Sequence, residues 1–308
     1  MKYCNLGDLS ASRIVMGCMR IGDKPLEQTE RVIVNACASG VNMFDLADVY
    51  GGGNAEKVFG VAIRDLEIPR KNYILQTKCG ICKNADGAIH HFNFSKEYIL
   101  SSVEGSLKRL NTEYIDILLL HRPDTLAEPD EIGEAFERLQ EDGKVRAFGV
   151  SNFSAMQMKL FRSCGIEIVA NQMQFSLGHT LPVDAGFYVN MSKDEAVTRA
   201  GDAMEYCRLK KIPVQAWSPL QYGFFEGVFV GNEKFPVLNA ELNAQAEKYG
   251  VTPSAIALAW VLRHPAFKQV VTGTTSPERM NELCKAADVN MSREDWYALY
   301  NATGKQLP

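Results

Sequence analysis

The stretch Ile115-Asp116-Ile117-Leu118-Leu119-Leu120 has an acid at its second position and is otherwise apolar. A strand with one wet face would alternate apolar and polar residues. A nearly unbroken apolar run of strand length is expected where both faces are covered, as in a parallel sheet under helices. Working outward, comparable runs recur at Ile14–Gly17, Val41–Asp45, Tyr73–Thr77, Val145–Val150, Ile168–Gln172, Pro213–Trp217 and Val270–Thr272. Between them, helical spacing predicts helices over Leu26–Ala38, Ala55–Leu66, Lys96–Leu110, Asp130–Glu141, Ala155–Arg162, Asp194–Leu209, Val237–Tyr249 and Pro277–Ala287. Eight strand-helix units without a Pro/Gly/Ser-rich linker or charge block between them predict a closed (β/α)8 TIM barrel spanning 1–308 as one domain. The rival is an open doubly wound sheet, but no G-x-G-x-x-G opens the first helix, and Gly51-Gly52-Gly53 lacks that spacing.

Extra segments decorate this plan. The first 13 residues read as a short cap over the barrel bottom, and Thr252–His264 and Arg293–Ala302 as helices outside the eightfold count. The stretch Leu220–Pro236 is a long aromatic- and glycine-bearing loop after the seventh strand, a place where barrels bind ligands.

Composition limits the function. The 308 residues are 46% hydrophobic and 23% charged, an ordinary globular balance that excludes a disordered, collagen-like or coiled-coil chain. A net charge of −4 provides no basic field for nucleic acid or an anionic membrane. Eight cysteines scattered through a chain too large to need disulfides point to a reducing cytoplasm. No leader or membrane span is read, and neither a nucleic acid nor a membrane partner is expected; the oligomeric state is not predicted.

Barrel enzymes build their sites at the carboxyl ends of the strands. Those positions carry Asp45, then Tyr50, then Lys78, His121, Ser151-Asn152, Gln172 and Trp217-Ser218. Taken singly each has a bland reading: Asp45 as a loop cap, Tyr50 as a packing aromatic, Lys78 as a solvated lysine, His121 as a structural histidine and Trp217 as a core aromatic. Together they form an acid/base set on one mouth. A phenol with an ordinary pKa of about 10 is a reluctant donor whose anion needs help; a lysine cation supplies that help, and an aspartate holds the lysine. A histidine near the substrate oxygen orients it and donates a hydrogen bond.

The segments Asp45-Leu46-Ala47-Asp48-Val49-Tyr50-Gly51, Thr77-Lys78-Cys79, Leu118–Asp124, Gly149-Val150-Ser151-Asn152-Phe153 and Ala216-Trp217-Ser218-Pro219-Leu220 resemble the aldo-keto reductase family in its motif order. The resemblance implies NAD(P)H-dependent reduction of a small-molecule carbonyl, with Asp45, Tyr50, Lys78 and His121 as catalytic tetrad. It casts Ser151, Asn152 and Gln172 as holders of the nicotinamide carboxamide and Trp217 as the residue stacked on its ring. Ser218, Pro219, Leu220, Gly17 and Met19 would also touch the cofactor.

A phosphate site is readable independently. The last strand runs into Gly273-Thr274-Thr275-Ser276-Pro277-Glu278-Arg279, in which Ser276 reads as a helix cap and Pro277 as the first helical residue. Amides there would face an anion, and Arg279 sits in a first turn where the helix dipole disfavours a cation unless something negative is near. The resemblance assigns Arg279 to the adenosine 2′-phosphate, with Thr274 in the family's Ser/Thr position and Gly273 where many members carry lysine. NADP is therefore expected, with NAD possible.

Two other functions fit the same residues: a barrel aldolase or lyase using Lys78 as a Schiff base, and a regulatory subunit that binds nicotinamide with little turnover. Cys79-Gly80-Ile81-Cys82 has redox-motif spacing outside the thioredoxin context, and His90-His91 with Cys82 reads as a solvated loop rather than as a metal site.

Overall fold

The computed structural model describes all 308 residues. Eight parallel strands close a barrel in chain order: Ile14–Gly17, Met43–Asp45, Ile74–Cys79, Ile115–Leu120, Val145–Ser151, Asn171–Gln174, Val214–Trp217 and Phe267–Thr272, the last pairing with the first. All eight strands expected from the sequence are present. Ile115–Leu120 is buried along its whole length, because the barrel interior covers one face and helices the other.

The acid within that run has its own explanation. The Asp116 carboxylate is buried and accepts from Arg70 Nη2 at 2.7 Å, Arg146 Nη1 at 3.0 Å and the Leu75 amide at 2.9 Å. The Tyr114 ring lies between the two guanidinium groups, 3.8 and 4.0 Å from its centroid.

The N-terminal cap is an antiparallel hairpin, Tyr3–Leu6 with Leu9–Ser12. Its Leu6 and Ala11 are fully buried and pack with Val15, Met43, Ile117 and Val271 as the barrel floor. Above that floor the interior is polar. Gln269 Nε2 donates to Ser12 O at 2.7 Å, Gln215 Nε2 to Gln269 Oε1 at 2.8 Å, Gln76 and Gln172 each to Gln215 Oε1 at 3.0 Å, and both also to Asp45 Oδ1. Four amides thus join the floor to a carboxylate at the mouth, pairing polar groups that would otherwise be costly inside a protein.

The helical layer departs from expectation in three places. Pro253–Arg263, expected outside the eightfold count, is buried at every position from Ala255 to Leu262 and packs on the last strand, while Pro236–Tyr249 lies outside it against Arg293–Ala302. A helix apolar all round belongs in a core, and Ala-Ile-Ala-Leu-Ala-Trp at 255–260 is one. Asp194–Leu209 is not continuous: a single turn at Asp194–Ala196 precedes a helix at Ala203–Leu209, because Gly201 and Asp202 take left-handed φ of 56° and 52°. A short helix at Leu181–Phe187, with Pro182 in its first turn, was not foreseen. The carboxyl-terminal helix is pinned by reciprocal indole bonds, Trp260 Nε1 to Trp296 O at 2.9 Å and Trp296 Nε1 to Trp260 O at 3.0 Å. Burying each indole adds roughly 2–3 kcal/mol.

The long loop Leu220–Pro236 and the loop bearing Cys82, His90 and His91 each contain a small antiparallel hairpin, Gln221–Tyr222 with Gly227–Val228 and Ile81–Lys83 with Ile89–Phe92. His90 and His91 are exposed, as expected, but on a paired hairpin rather than a plain loop. No helix is long and apolar enough to cross a membrane.

Candidate active site

Asp45 ends the second strand and Lys78 lies near the end of the third, so both point to the mouth from neighbouring strands. Tyr50 follows on a single 3-10 turn, Tyr50–Gly53, in which Gly51, Gly52 and Gly53 have φ of 57°, 62° and 88°. Three consecutive left-handed residues are inexpensive only for glycine. They turn the chain sharply from Tyr50 into the helix Asn54–Asp65.

Lys78 Nζ donates to Asp45 Oδ1 and Oδ2 and to Leu46 O, each at 2.7 Å, and stands 3.3 Å from Tyr50 Oη. Lys78 is fully buried. Burial works against its ammonium, but the charge and hydrogen bonds of Asp45 and Tyr50 outweigh it and hold the pKa above the ordinary lysine value. Burial raises the Tyr50 phenol and Lys78 pulls it back only in part, so Tyr50 stays protonated at neutral pH. This reverses the simple expectation of a lowered phenol pKa; desolvation wins over the neighbouring cation.

His121 follows the fourth strand, its ring edge-on to Tyr50 with centroids 5.7 Å apart. Burial, then the charges of Lys78, Arg122 and Lys83, drive its pKa well below the usual histidine value, so the imidazole is neutral. Its Nδ1 has no partner within the chain.

Asn152, at a left-handed φ of 64°, accepts the Trp217 indole N–H on Oδ1 at 3.0 Å and donates to Ser151 Oγ at 2.8 Å. Ser151 Oγ donates to Gln172 O at 3.0 Å, and Gln172 Nε2 is committed to Asp45 and Gln215. The three expected carboxamide holders are therefore also bonded within the chain, where they fix Trp217 and Asp45. Trp217 stacks with Phe225 at 5.9 Å between centroids, and Ser218 Oγ donates to Gln221 Oε1 at 2.9 Å.

At the opposite end Ser276 caps the helix Pro277–Cys284, its Oγ accepting from the Arg279 amide at 3.2 Å, with Pro277 in the first turn as expected. Arg279 forms no ion pair, and Arg20 Nη1 lies 3.4 Å from Gly273 O. A capped helix start flanked by two guanidinium groups without carboxylate partners suits a phosphorylated ligand.

One cavity of about 560 Å³ joins these parts. It is lined by Asp45, Tyr50, His121, Ser151, Asn152, Gln172 and Trp217, and by Ser218, Pro219, Leu220, Gly273, Thr274, Arg279, Gly17 and Met19. Lys78 lies beneath it. All the residues singled out in the sequence thus meet at one opening, and they fit a nicotinamide dinucleotide: a fixed indole at one end and cations with amides at the other.

The family model for the aldo/keto reductase family matches residues 13–302. The chain belongs to the aldo/keto reductase family. Members of this oxidoreductase family include a 6-dehydroglucose reductase of Agrobacterium fabrum (strain C58), 36% identical over 97% of this chain and 97% of the relative. An uncharacterized oxidoreductase, YcsN, of Bacillus subtilis (strain 168) is 34% identical over 98% of this chain and 97% of its own length. In fold, the chain resembles a thermostable aldo-keto reductase solved with the inhibitor epalrestat, at a TM-score of 0.78 and 24% identity, covering 98% and 100% of the two chains.

Phe224 and Phe225 line the cavity as well, from the aromatic loop Leu220–Pro236 in which ligand binding was expected; Arg20, Lys83 and Arg122, also in the lining, were not singled out. Arg122 stood inside the recognised Leu118–Asp124 segment, and Arg20 beside Met19; their adjacency to site residues was the available signal.

Proposed function

We propose that the chain reduces an aldehyde or ketone to an alcohol, with NADPH as the preferred cofactor and NADH as an alternative. The reduced nicotinamide, when bound, supplies the hydride. Tyr50 Oη donates the proton to the carbonyl oxygen, and the neutral His121 imidazole orients that oxygen by a hydrogen bond. Lys78 stabilises the phenolate left behind, Asp45 holds Lys78, and Trp217, fixed by Asn152, offers a flat apolar wall for the nicotinamide ring. Arg279 and the Thr274–Ser276 amides bind phosphate, and Arg279 selects the 2′-phosphate.

The observation that carries this reading is the Asp45–Lys78–Tyr50 contact, with the ammonium 2.7 Å from one partner and 3.3 Å from the other. The same contact weighs against a Schiff-base lyase, because a nucleophilic lysine needs a lowered pKa and Lys78 is held as a cation. An intact acid relay likewise favours turnover over a purely binding role. The cysteine usage fits action in a reducing cytoplasm, and the 6-dehydroglucose reductase relative makes oxidised sugars one carbonyl class to include. The test is loss of the near-ultraviolet absorbance of NADPH, and separately of NADH, on mixing with aliphatic, aromatic, quinone and sugar carbonyls. Turnover without a detectable alcohol product would overturn it.

A further inference from the structure

The fully charged side chains lining the cavity are unbalanced. Arg20, Lys83, Arg122 and Arg279 face it, against Asp45 alone, and Asp45 is already paired with Lys78. The proposed cofactor phosphates account for Arg20 and Arg279, which stand at the Gly273–Ser276 end. Lys83 and Arg122 stand at the other end, where both charges bear on His121 and that of Arg122 also on Tyr50.

Arg122 is half-buried beside the reacting groups, yet it pairs with no carboxylate. The nearest acid in sequence, Asp124, is already engaged: Oδ2 accepts the Phe94 amide at 3.0 Å and Oδ1 the Leu126 amide at 2.9 Å. The guanidinium lies 5.7 Å from the Trp217 ring centroid, near the outer limit of about 6 Å for a cation–π attraction. Partly desolvating a guanidinium without a counter-charge is unfavourable, whereas a carboxylate or phosphate would meet its planar fork with two charge-assisted hydrogen bonds. Lys83, exposed on the hairpin above the mouth, adds a second donor of the same sign.

We infer that the substrate carries an anionic group, a carboxylate or a phosphate, which Arg122 grips with help from Lys83 while the carbonyl lies at Tyr50 and His121. This rests on the reductase reading and specifies its substrate class. Arg122 is thereby a specificity-determining residue.

The experiment compares matched carbonyls in wild-type, Arg122→Gln, Arg122→Lys and Lys83→Met proteins: succinic semialdehyde against butanal, and glyceraldehyde 3-phosphate against glyceraldehyde. In parallel, quenching of tryptophan fluorescence follows binding of 4-hydroxybutyrate against butanol and glycerol 3-phosphate against glycerol. At least one anionic member is expected to be preferred in kcat/KM by about tenfold or more, with the ratio collapsing toward unity in Arg122→Gln and partly restored in Arg122→Lys. The responding pair identifies carboxylate or phosphate. Equal use of both members, or a preference untouched by Arg122→Gln, overturns the inference. Anion binding that depends on Arg122 without reduction of any carbonyl leaves the anion site standing and removes the reductase reading; absence of both removes both.

Discussion

The Lys78 ammonium lies 3.3 Å from the Tyr50 hydroxyl and 2.7 Å from both Asp45 oxygens. With Leu46 O as a further acceptor, the lysine is held before any substrate arrives. The phenol keeps its own proton because burial outweighs the pull of that cation. A phenol held in this way is the acid that the proposed reduction requires.

Replacing Tyr50 by Phe should therefore lower kcat by about 10²–10⁴-fold while leaving NADPH affinity nearly unchanged, since the hydroxyl acts mainly in the transition state. Single-turnover kinetics with a separate fluorescence titration of NADPH distinguish the two. Retained turnover would remove Tyr50 as the acid.

The pH profile follows from the directions of the shifts. Tyr50 is raised, so it remains a proton donor until the solution passes the ordinary tyrosine value of about 10; His121 is lowered and stays neutral across the same span. Reduction should hold its kcat/KM through neutral pH and fall only in alkaline solution, with no break near the ordinary histidine value of about 6.5. A profile that halves on crossing that value would assign the proton to His121 instead.

Arg279→Ala should weaken NADPH by roughly 10–100-fold and NADH much less, because a charge-assisted bond to the extra phosphate is lost. Equilibrium titration of both dinucleotides reads the difference. Equal weakening would place Arg279 on the shared diphosphate.

Asp48 gives a stability prediction of unusual sign. Burial first, and the Glu56 charge second, push its carboxyl up from 3.8 to about 7, and its Oδ1 has no partner. The folded chain binds this proton more tightly than the unfolded chain, so the contribution is complete below 3.8 and is lost as pH rises through about 7. Asp48→Asn should stabilise the protein by about 1–4 kcal/mol at about pH 8 and change little at about pH 4. Urea-unfolding midpoints at the two pH values provide the check, and a destabilisation at the higher one would refute it.

Asp116→Ala should cost about 3–5 kcal/mol, because two guanidinium groups and the Leu75 amide lose their common acceptor. Denaturant unfolding monitored by circular dichroism measures it. A cost under about 1 kcal/mol would mean that water replaces the carboxylate.

The barrel was legible because burial on both faces writes itself into strand composition, as at Ile115–Leu120 and Val145–Val150. The mouth was legible because strand ends are fixed by the same reading, and Asp45, Lys78, His121 and Trp217 all stand at or just past such ends. What escaped has physical reasons. Whether Pro253–Arg263 or Pro236–Tyr249 packs on the barrel depends on tertiary burial, although the unbroken apolar series at 255–262 carried a hint. The break at Gly201-Asp202 depends on left-handed backbone at a residue other than glycine, for which one sequence offers weak warning. Gln76, Gln215 and Gln269 carried no signal of their own, because their mutual hydrogen bonds exist only once the barrel closes. Arg122 was visible in sequence, but its lack of a counter-charge was not.

The amides running from Ser12 through Gln269, Gln215 and Gln172 to Asp45 tie the N-terminal hairpin to the barrel mouth. A deletion of the first dozen residues would strip the far terminus of that relay and let its dipoles reorient one after another toward Asp45. Fusion partners and trimmed variants should accordingly be designed around the opposite end of the chain, since tampering with the hairpin reaches Asp45 at a distance.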